Sequence, residues 1–295
     1  MSESEPFVTY LELRESTAEG EAGAGLSHTG SGLVLLHVLE LAAHGEPRGA
    51  VTVVHDAGEH GPRYLPLAHE LSAAGWAVAL PDLRGHGRSE GERGHSAGIR
   101  EVVRDLSDVQ DHLAYRQPTA SKVLVGQGLG ALYALAYACE RPEGLAALVL
   151  SAPLLEPRFD VPRSSGGLLR RFRRSGSVAP LRIAWTPEQL TSDPVERRKR
   201  DEDALVHAQI TQRAAEQAAA AAREYRPKIS SLSMPTLVLQ GRGDPIVRAS
   251  DVLALAGRNV DVRVFEGMLH DLFHDTRTAE VVDVLKAWLD EKLAR

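Results

Sequence analysis

The sequence predicts an α/β fold in which a mostly parallel sheet is covered by helices on both faces. Three observations lead there. Short apolar, β-branched runs recur between residues 50 and 150, each ending in a turn. Stretches with helical periodicity separate them, and the same alternation returns after Pro235. Strands buried on both faces read as continuous apolar runs, and strands joined in parallel need crossover helices.

The elements follow in order. Val8–Leu13 and Leu33–Leu39 read as flanking strands, joined by residues 16–32, a Ser-, Ala-, Glu- and Gly-containing flexible or hairpin connection. Ala50–Val54 is a buried strand, and helix-period residues run from Tyr64 to Ala74 and stop at Gly75. Trp76–Leu80 is a second buried strand, halted by Pro81-Asp82. Ile99–Tyr115 repeats Ile, Val and Leu at three- and four-residue intervals, the mark of an amphipathic helix. Lys122–Val125 is a strand, Leu129–Glu140 a helix and Ala146–Leu150 a strand. The alternation breaks after Pro153. Residues 154–232 show no buried strand; they carry a basic stretch (Arg158, Arg163, Arg170, Arg171, Arg173, Arg174 and Arg182 against Asp160) and a long alanine-rich helix around Ala204–Tyr225. Strands Thr236–Gln240 and Val262–Phe265 and a helix over Thr278–Leu293 complete the chain. This order predicts one core domain, 1–153 with 233–295, and a helical cap, 154–232, inserted over one end of its sheet.

Bulk properties narrow the function classes. The 295 residues, 43% hydrophobic and 25% charged, suit an ordinary globular core. A net charge of -6 gives no reason to expect nucleic acid as a partner. No apolar run reaches the roughly 18–20 residues of a membrane span. Met1–Pro6 is acidic, without the basic-then-apolar pattern of a signal peptide, so a cytoplasmic location is expected. The single cysteine, Cys139, excludes an internal disulfide and a thiolate metal cluster, and within the apolar run Ala131–Cys139 it reads as a packed thiol. The basic stretch reads first as a solvated cap surface; peripheral contact with anionic lipid, through Leu168-Leu169-Arg170-Arg171-Phe172, is its other reading.

In open parallel sheets, reactive groups sit just past the C-terminal ends of strands. Four such points are informative: His55-Asp56-Ala57-Gly58-Glu59-His60; Pro81 to Ser89, with Asp82-Leu83-Arg84-Gly85-His86-Gly87; Gly126-Gln127-Gly128-Leu129-Gly130; and the late turns Gly241-Arg242-Gly243-Asp244 and Glu266-Gly267-Met268-Leu269-His270. A nucleophile turn, then an acid, then a histidine is the order of the α/β-hydrolase triad. On these segments together the chain resembles the monoacylglycerol lipase and lysophospholipase branch of the α/β-hydrolases, from about Gly32 to the C-terminus. Cap segments Leu190–Pro194 and Asp203–His207 share in the likeness.

The resemblance implies an α/β-hydrolase fold and roles residue by residue. Asp244 matches the acid that orients the histidine, and His270 the general base. Ala57 and Leu129 match the residues whose backbone N–H groups form the oxyanion hole. Gly128 matches the nucleophilic serine. Glycine has no hydroxyl to attack an ester carbonyl, and loss of such a nucleophile costs about a million-fold in turnover in a serine protease. It does adopt strained turn geometry freely, so the change is compatible with folding. A second departure is Asp56, where the family usually has glycine. Facing the oxyanion site, its carboxylate would repel the charge that develops there; turned to solvent, it would be neutral to the chemistry.

Gly94-His95-Ser96-Ala97-Gly98 matches Gly-x-Ser-x-Gly, but polar Arg88–Arg93, not a buried strand, precedes it, so the match is a decoy. His55, His60, His86 and His274 form no metal set, Glu59, Arg63 and Asp82 read as loop braces, and no phosphate loop or nucleotide fingerprint follows any strand. No cofactor and no metal are expected. The expected function is a pseudo-hydrolase that binds a lipid-like or small-molecule ligand. The alternatives are an active carboxylic-ester hydrolase, either with Gly128 an introduced change or with His270 and Asp244 activating a water directly.

Overall fold

The computed structural model describes residues 4–14, 33–96, 98–117, 121–159 and 180–294. The expected connection at 16–32, and the basic residues from Arg163 to Arg174, lie outside them.

Eight strands form one sheet: β1 (Phe7–Arg14), β2 (Leu33–Leu41), β3 (Gly49–Val54), β4 (Trp76–Pro81), β5 (Ser121–Gln127), β6 (Leu145–Ser151), β9 (Thr236–Gly241) and β10 (Val260–Phe265). Their order is β1-β2-β4-β3-β5-β6-β9-β10. Only the β1–β2 and β2–β4 pairs are antiparallel. The others run parallel, as the alternating sequence pattern requires. β3, β4 and β9 are buried along their whole length, which is why they read as unbroken apolar runs.

Helices cover both faces. On one, α2 (Ile99–Arg116), α3 (Leu129–Glu140) and α6 (Gln212–Tyr225) bury Leu106, Leu132, Leu135 and Tyr225. On the other, α1 (Leu65–Ala73) and α8 (Thr278–Lys292) pack Leu71, Leu285 and Leu289 around Trp76. Two sides of a central sheet sealed in this way leave the strand ends as the place for chemistry.

The segment between β6 and β9 differs from expectation in two ways. It contains two short strands, β7 (Pro180–Arg182) and β8 (Gln209–Thr211), paired antiparallel, where no strand was expected. Three residues are too few for a periodicity to show. The alanine-rich helix starts at Gln212 and not near Ala204, because Thr211 caps it: its hydroxyl accepts the Ala214 N–H at 3.2 Å. The residues before it dock on the sheet instead, with His207 N–H donating to Gly58 C=O at 2.9 Å and Thr211 N–H to Gly94 C=O at 3.0 Å. A Cβ on Gly58 or Gly94 would overlap the His207 or Gln209 carbonyl, so both glycines are needed for this close approach. α4 (Pro187–Leu190) and α5 (Pro194–Glu202) precede it, and α7 (Ala249–Leu253) follows β9. Among the described residues no helix is long and apolar enough to cross a membrane.

Candidate active site

β5 ends at Gln127 and α3 begins at Leu129, leaving Gly128 alone to turn the chain. It does so at φ 55°, ψ -114°, a conformation that costs a residue with a side chain about 1–3 kcal/mol. Its N–H donates to Ser151 C=O (2.9 Å), and its own carbonyl accepts from Leu154 N–H (3.0 Å). Gly126 leaves room for the first turn of α3, at Gly130 and Ala131, and Gly130 lets that turn press against the end of β3, since a Cβ there would overlap the Val54 and His55 carbonyls.

Past β3, Asp56 turns inward, and its side chain is almost fully buried. Its Oδ1 accepts two backbone hydrogen bonds, from Ala57 N–H and Leu129 N–H, each at 2.7 Å. These are the two donors that the family resemblance assigns to the oxyanion hole. The first turn of α3 adds its dipole, which favours negative charge at that point. So the carboxylate does not merely face these two donors; it occupies both. A Cβ on Gly128 would lie closer than 3.0 Å to Asp56 Cγ and to both carboxylate oxygens, a separation real Cβ atoms do not show. A serine at 128 and this placement of Asp56 exclude one another. The two departures from the family pattern, 72 residues apart in the chain, are one change in space.

Asp56 Oδ2 lies 3.3 Å from His270 Nε2. The contact is electrostatic and not an aligned hydrogen bond, so the buried Nε2 has no hydrogen-bond partner within the protein. On the opposite edge of the ring, Nδ1 meets Asp244 Oδ2 at 2.8 Å. Asp244 is itself fixed: Oδ1 accepts from Ile246 N–H (2.7 Å) and Val247 N–H (3.0 Å), and Oδ2 from Gln240 Nε2 (2.9 Å). Gln127 Nε2 donates to the His270 carbonyl at 2.8 Å. Burial works against a charged imidazole, but Asp244 and then Asp56 outweigh it, and they hold the His270 pKa well above its ordinary value. Burial likewise opposes the Asp244 carboxylate, and the facing His270 more than compensates, so its pKa is lowered. Two carboxylates thus flank the imidazole, and both favour its protonated form.

The structure thus brings together every residue singled out from the sequence: Gly128, Asp244, His270, Ala57 and Leu129. Sequence reasoning missed Gln127, Gln240 and Trp185. Trp185 stands with its ring 5.7 Å from that of His270 and forms a wall of a cavity of about 260 Å³. Leu155, Ile246 and Val247 line that cavity together with the charged side chains of Glu156, Arg158, Arg226, Arg248 and Asp251. No glycine, triad spacing or strand end marks Trp185 in the sequence.

The supporting loops hold as braces do. His55 Nε2 accepts from Leu83 N–H (3.0 Å), so Nδ1 carries the proton and donates to Asp56 C=O (2.7 Å). Burial lowers the His55 pKa, in keeping with that neutral tautomer. Asp82 receives Gly61 N–H (2.7 Å) and Arg88 N–H (2.9 Å), tying two loops together. Glu59 receives Tyr64 OH at 2.7 Å and is paired with Arg200 and Arg63. His60 and His274 are engaged with Asp203 (2.7 Å) and Asp271 (2.9 Å), each in a separate pair. Among the described residues no cluster of three or more His, Cys, Asp or Glu is arranged to hold a metal. Cys139 is half-buried on α3, and burial pushes its thiol up to about 11, which leaves it inert. Ser96 sits ahead of α2, hydrogen-bonded to Tyr133 and not on a strand-to-helix turn.

Comparison with known proteins agrees with this frame. A family model described as serine aminopeptidase, S33, matches residues 45–277. The monoglyceride lipase homolog of Monkeypox virus is 30% identical over 253 residues, 82% of this chain and 90% of the viral one. The monoacylglycerol lipase of Mycolicibacterium smegmatis is 28% identical over 254 residues, 83% of this chain and 89% of its own. The crystal structure of Paleococcus ferrophilus monoacylglycerol lipase superposes with a TM-score of 0.77 at 26% identity, covering 87% of this chain and 99% of that one. With a parallel sheet of this order, strand-end loops converging on one histidine and relatives matched over most of their length, this chain belongs to the α/β-hydrolase family, in its monoacylglycerol lipase-like group.

Proposed function

We propose that this protein keeps the frame and ligand cavity of a monoacylglycerol lipase-type hydrolase without serine-dependent ester hydrolysis, and that it binds a lipid-like or other small apolar ligand. The Asp56 carboxylate, seated on the Ala57 and Leu129 N–H groups against Gly128, carries the reading. A serine hydrolase needs a hydroxyl at that turn and vacant donors for the substrate carbonyl. Here the hydroxyl is missing and the donors are taken. The mutual fit of Asp56 and Gly128 weighs against Gly128 as a lone introduced change. The alternative in which His270 activates water for an ester substrate meets the same obstacle, because the ester carbonyl would have to displace Asp56.

The cavity beside Trp185 pairs apolar side chains (Leu154, Leu155, Ile246, Val247) with charged ones (Arg158, Arg226, Arg248), which suits an acyl chain with a polar head. Of the three tryptophans, Trp76 and Trp288 are buried in the core, so a ligand in this cavity reports through Trp185. Titration with a long-chain monoacylglycerol is expected to change tryptophan emission, and Trp185→Phe to remove the change. The same sample should leave short-chain nitrophenyl esters and monoacylglycerol intact. Ester turnover that vanishes in His270→Ala would overturn the proposal.

A further inference from the structure

With serine chemistry set aside, on the reading above, the site still contains a complete arrangement of another kind. A buried carboxylate offers one oxygen to two N–H donors and the other to the open side of a histidine. The two donors can polarise only one carbonyl, and it is that of Asp56 itself. They would assist hydrolysis of an ester only if Asp56 were its acyl group. His270 Nε2, unpartnered by any hydrogen bond and 3.3 Å from Asp56 Oδ2, is where a base would have to stand to deliver water to such an ester.

We propose that Asp56 is a nucleophile, relocated from the β5–α3 turn to the loop after β3, and that the site hydrolyses primary alkyl halides through an alkyl ester of Asp56. In the first step Asp56 Oδ2 attacks the carbon bearing the halogen; the oxygen–carbon bond forms as the carbon–halogen bond breaks, and the halide leaves with its electron pair. Back-side displacement puts the leaving group on the far side of the carbon from Oδ2, and so away from His270. A group that departs as a stable anion, taking no proton, therefore fits this geometry. In the second step His270, which has released its proton to solvent once Asp56 is esterified, takes a proton at Nε2 from water as the water oxygen attacks Asp56 Cγ. The oxyanion forms on Oδ1, where Ala57 and Leu129 N–H groups already converge at 2.7 Å. Collapse expels the alkoxide, which recovers the proton from His270, and the Asp56 carboxyl then passes its own proton to His270, restoring carboxylate and imidazolium. The sum is alkyl halide plus water giving alcohol, halide and a proton.

The two steps are matched by charge. Esterification removes the Asp56 charge, one of the two that favour the imidazolium, so His270 gives up its proton and frees Nε2 only after the substrate is attached. Gly128 has its own part. Any Cβ there would meet the carboxylate, so the nucleophile can occupy the site only if position 128 is bare. In the cavity beside Trp185, the side chains of Leu154, Leu155, Ile246, Val247 and Val252 offer contacts to an alkyl group.

The test uses the full-length protein and n-hexyl bromide. Bromide release is expected from the unmodified protein, with a loss of at least about a hundredfold in Asp56→Asn. His270→Gln should stall after the first step and accumulate one hexyl group, mapped to Asp56 by peptide mass. If that variant does not fold, a single turnover of the unmodified protein in heavy-oxygen water replaces it: the label should enter the Asp56 carboxylate before it appears in hexanol. Unlabelled Asp56, label found directly in hexanol, or bromide release equal in Asp56→Asn would each overturn the proposal. Failure of the proposed function would be read elsewhere, as hydrolysis of a nitrophenyl ester by the unmodified protein.

Discussion

The two sides of His270 tell different stories. On the Nδ1 side, Asp244, Gln240 and the turn after β9 form the half that matches the family's acid, with both Asp244 oxygens hydrogen-bonded. On the Nε2 side, where the family places a serine and an empty pair of donors, there is a glycine and a carboxylate that uses both donors. One half is what the family frame requires; the other has been rebuilt. The lesson is that two substitutions far apart in sequence compensate sterically: the methylene and hydroxyl missing from 128 leave the room that the Asp56 carboxylate takes up. A loss of serine alone would have left a hole. This site has none.

The largest expected effect comes from undoing that exchange. Gly128→Ser alone should stay inactive on nitrophenyl esters, since its side chain and the Asp56 carboxylate compete for one space and neither can settle there without displacing the other. Asp56→Gly alone should stay inactive for want of a nucleophile. The double variant Asp56→Gly/Gly128→Ser is expected to hydrolyse the ester at least about a thousandfold faster than either single change. Stability should be non-additive in the same sense. Gly128→Ser carries both the backbone strain of about 1–3 kcal/mol and the overlap with Asp56, whereas the double variant carries only the strain. Urea midpoints in which the double variant is no more stable than Gly128→Ser would break the comparison, because the two positions would then not be coupled.

Much of the frame was legible because it rests on period and punctuation. β3, β4 and β9 announce themselves as unbroken apolar runs, α2 by its three- and four-residue spacing, and the elbow by three glycines at alternate positions. Asp244 and His270 follow from the same order, since each lies in the loop after a strand. What could not be read is anything that depends on two distant loops meeting. Asp56 was visible as a departure, yet whether it turned to the donors or to solvent depends on Leu129, 73 positions away. Trp185 lies in a stretch with no buried period, and β7 and β8 are too short to declare one. The capping Thr211 was there to be seen, but alanine-rich sequence on its C-terminal side hid where the helix begins.

A smaller effect separates the two carboxylates around His270. Its pKa is raised in the folded protein, so its contribution to stability is fully present below the ordinary value of 6.5 and is lost as pH rises through the folded value. Asp56→Asn removes one of the two charges responsible while Asp244 remains. The His270 pKa should fall, and the alkaline decline of the melting temperature should move to lower pH. Imidazole titration by NMR in both proteins checks the direction. An unchanged value would mean that Asp56 and His270 do not interact, and that the rebuilt half is electrostatically independent of the retained one.

The smallest effect lies outside this pair, where the segment between β6 and β9 meets the strand-end loops. His86 stands between His55 and His207, each ring 4.9 Å away, and the His207 backbone docks on Gly58. Burial first, then nearby positive charge from Arg93, brings the His207 pKa down to about 4. Burial and its two histidine neighbours push that of His86 well below its usual value. Here the sign is opposite to that of His270. A lowered histidine contributes stability that is present above 6.5 and lost as pH falls toward the folded value, because the unfolded chain takes up the proton first. His207→Gln removes one such group and keeps the backbone contact with Gly58. Its urea midpoint should therefore fall less than that of the unmodified protein between neutral pH and about 4. Since His207 is partly exposed, the gain will be small. An equal acid decline in both proteins would place the loss elsewhere, with carboxylates such as Asp244, whose lowered pKa makes them lose their contribution in acid as well.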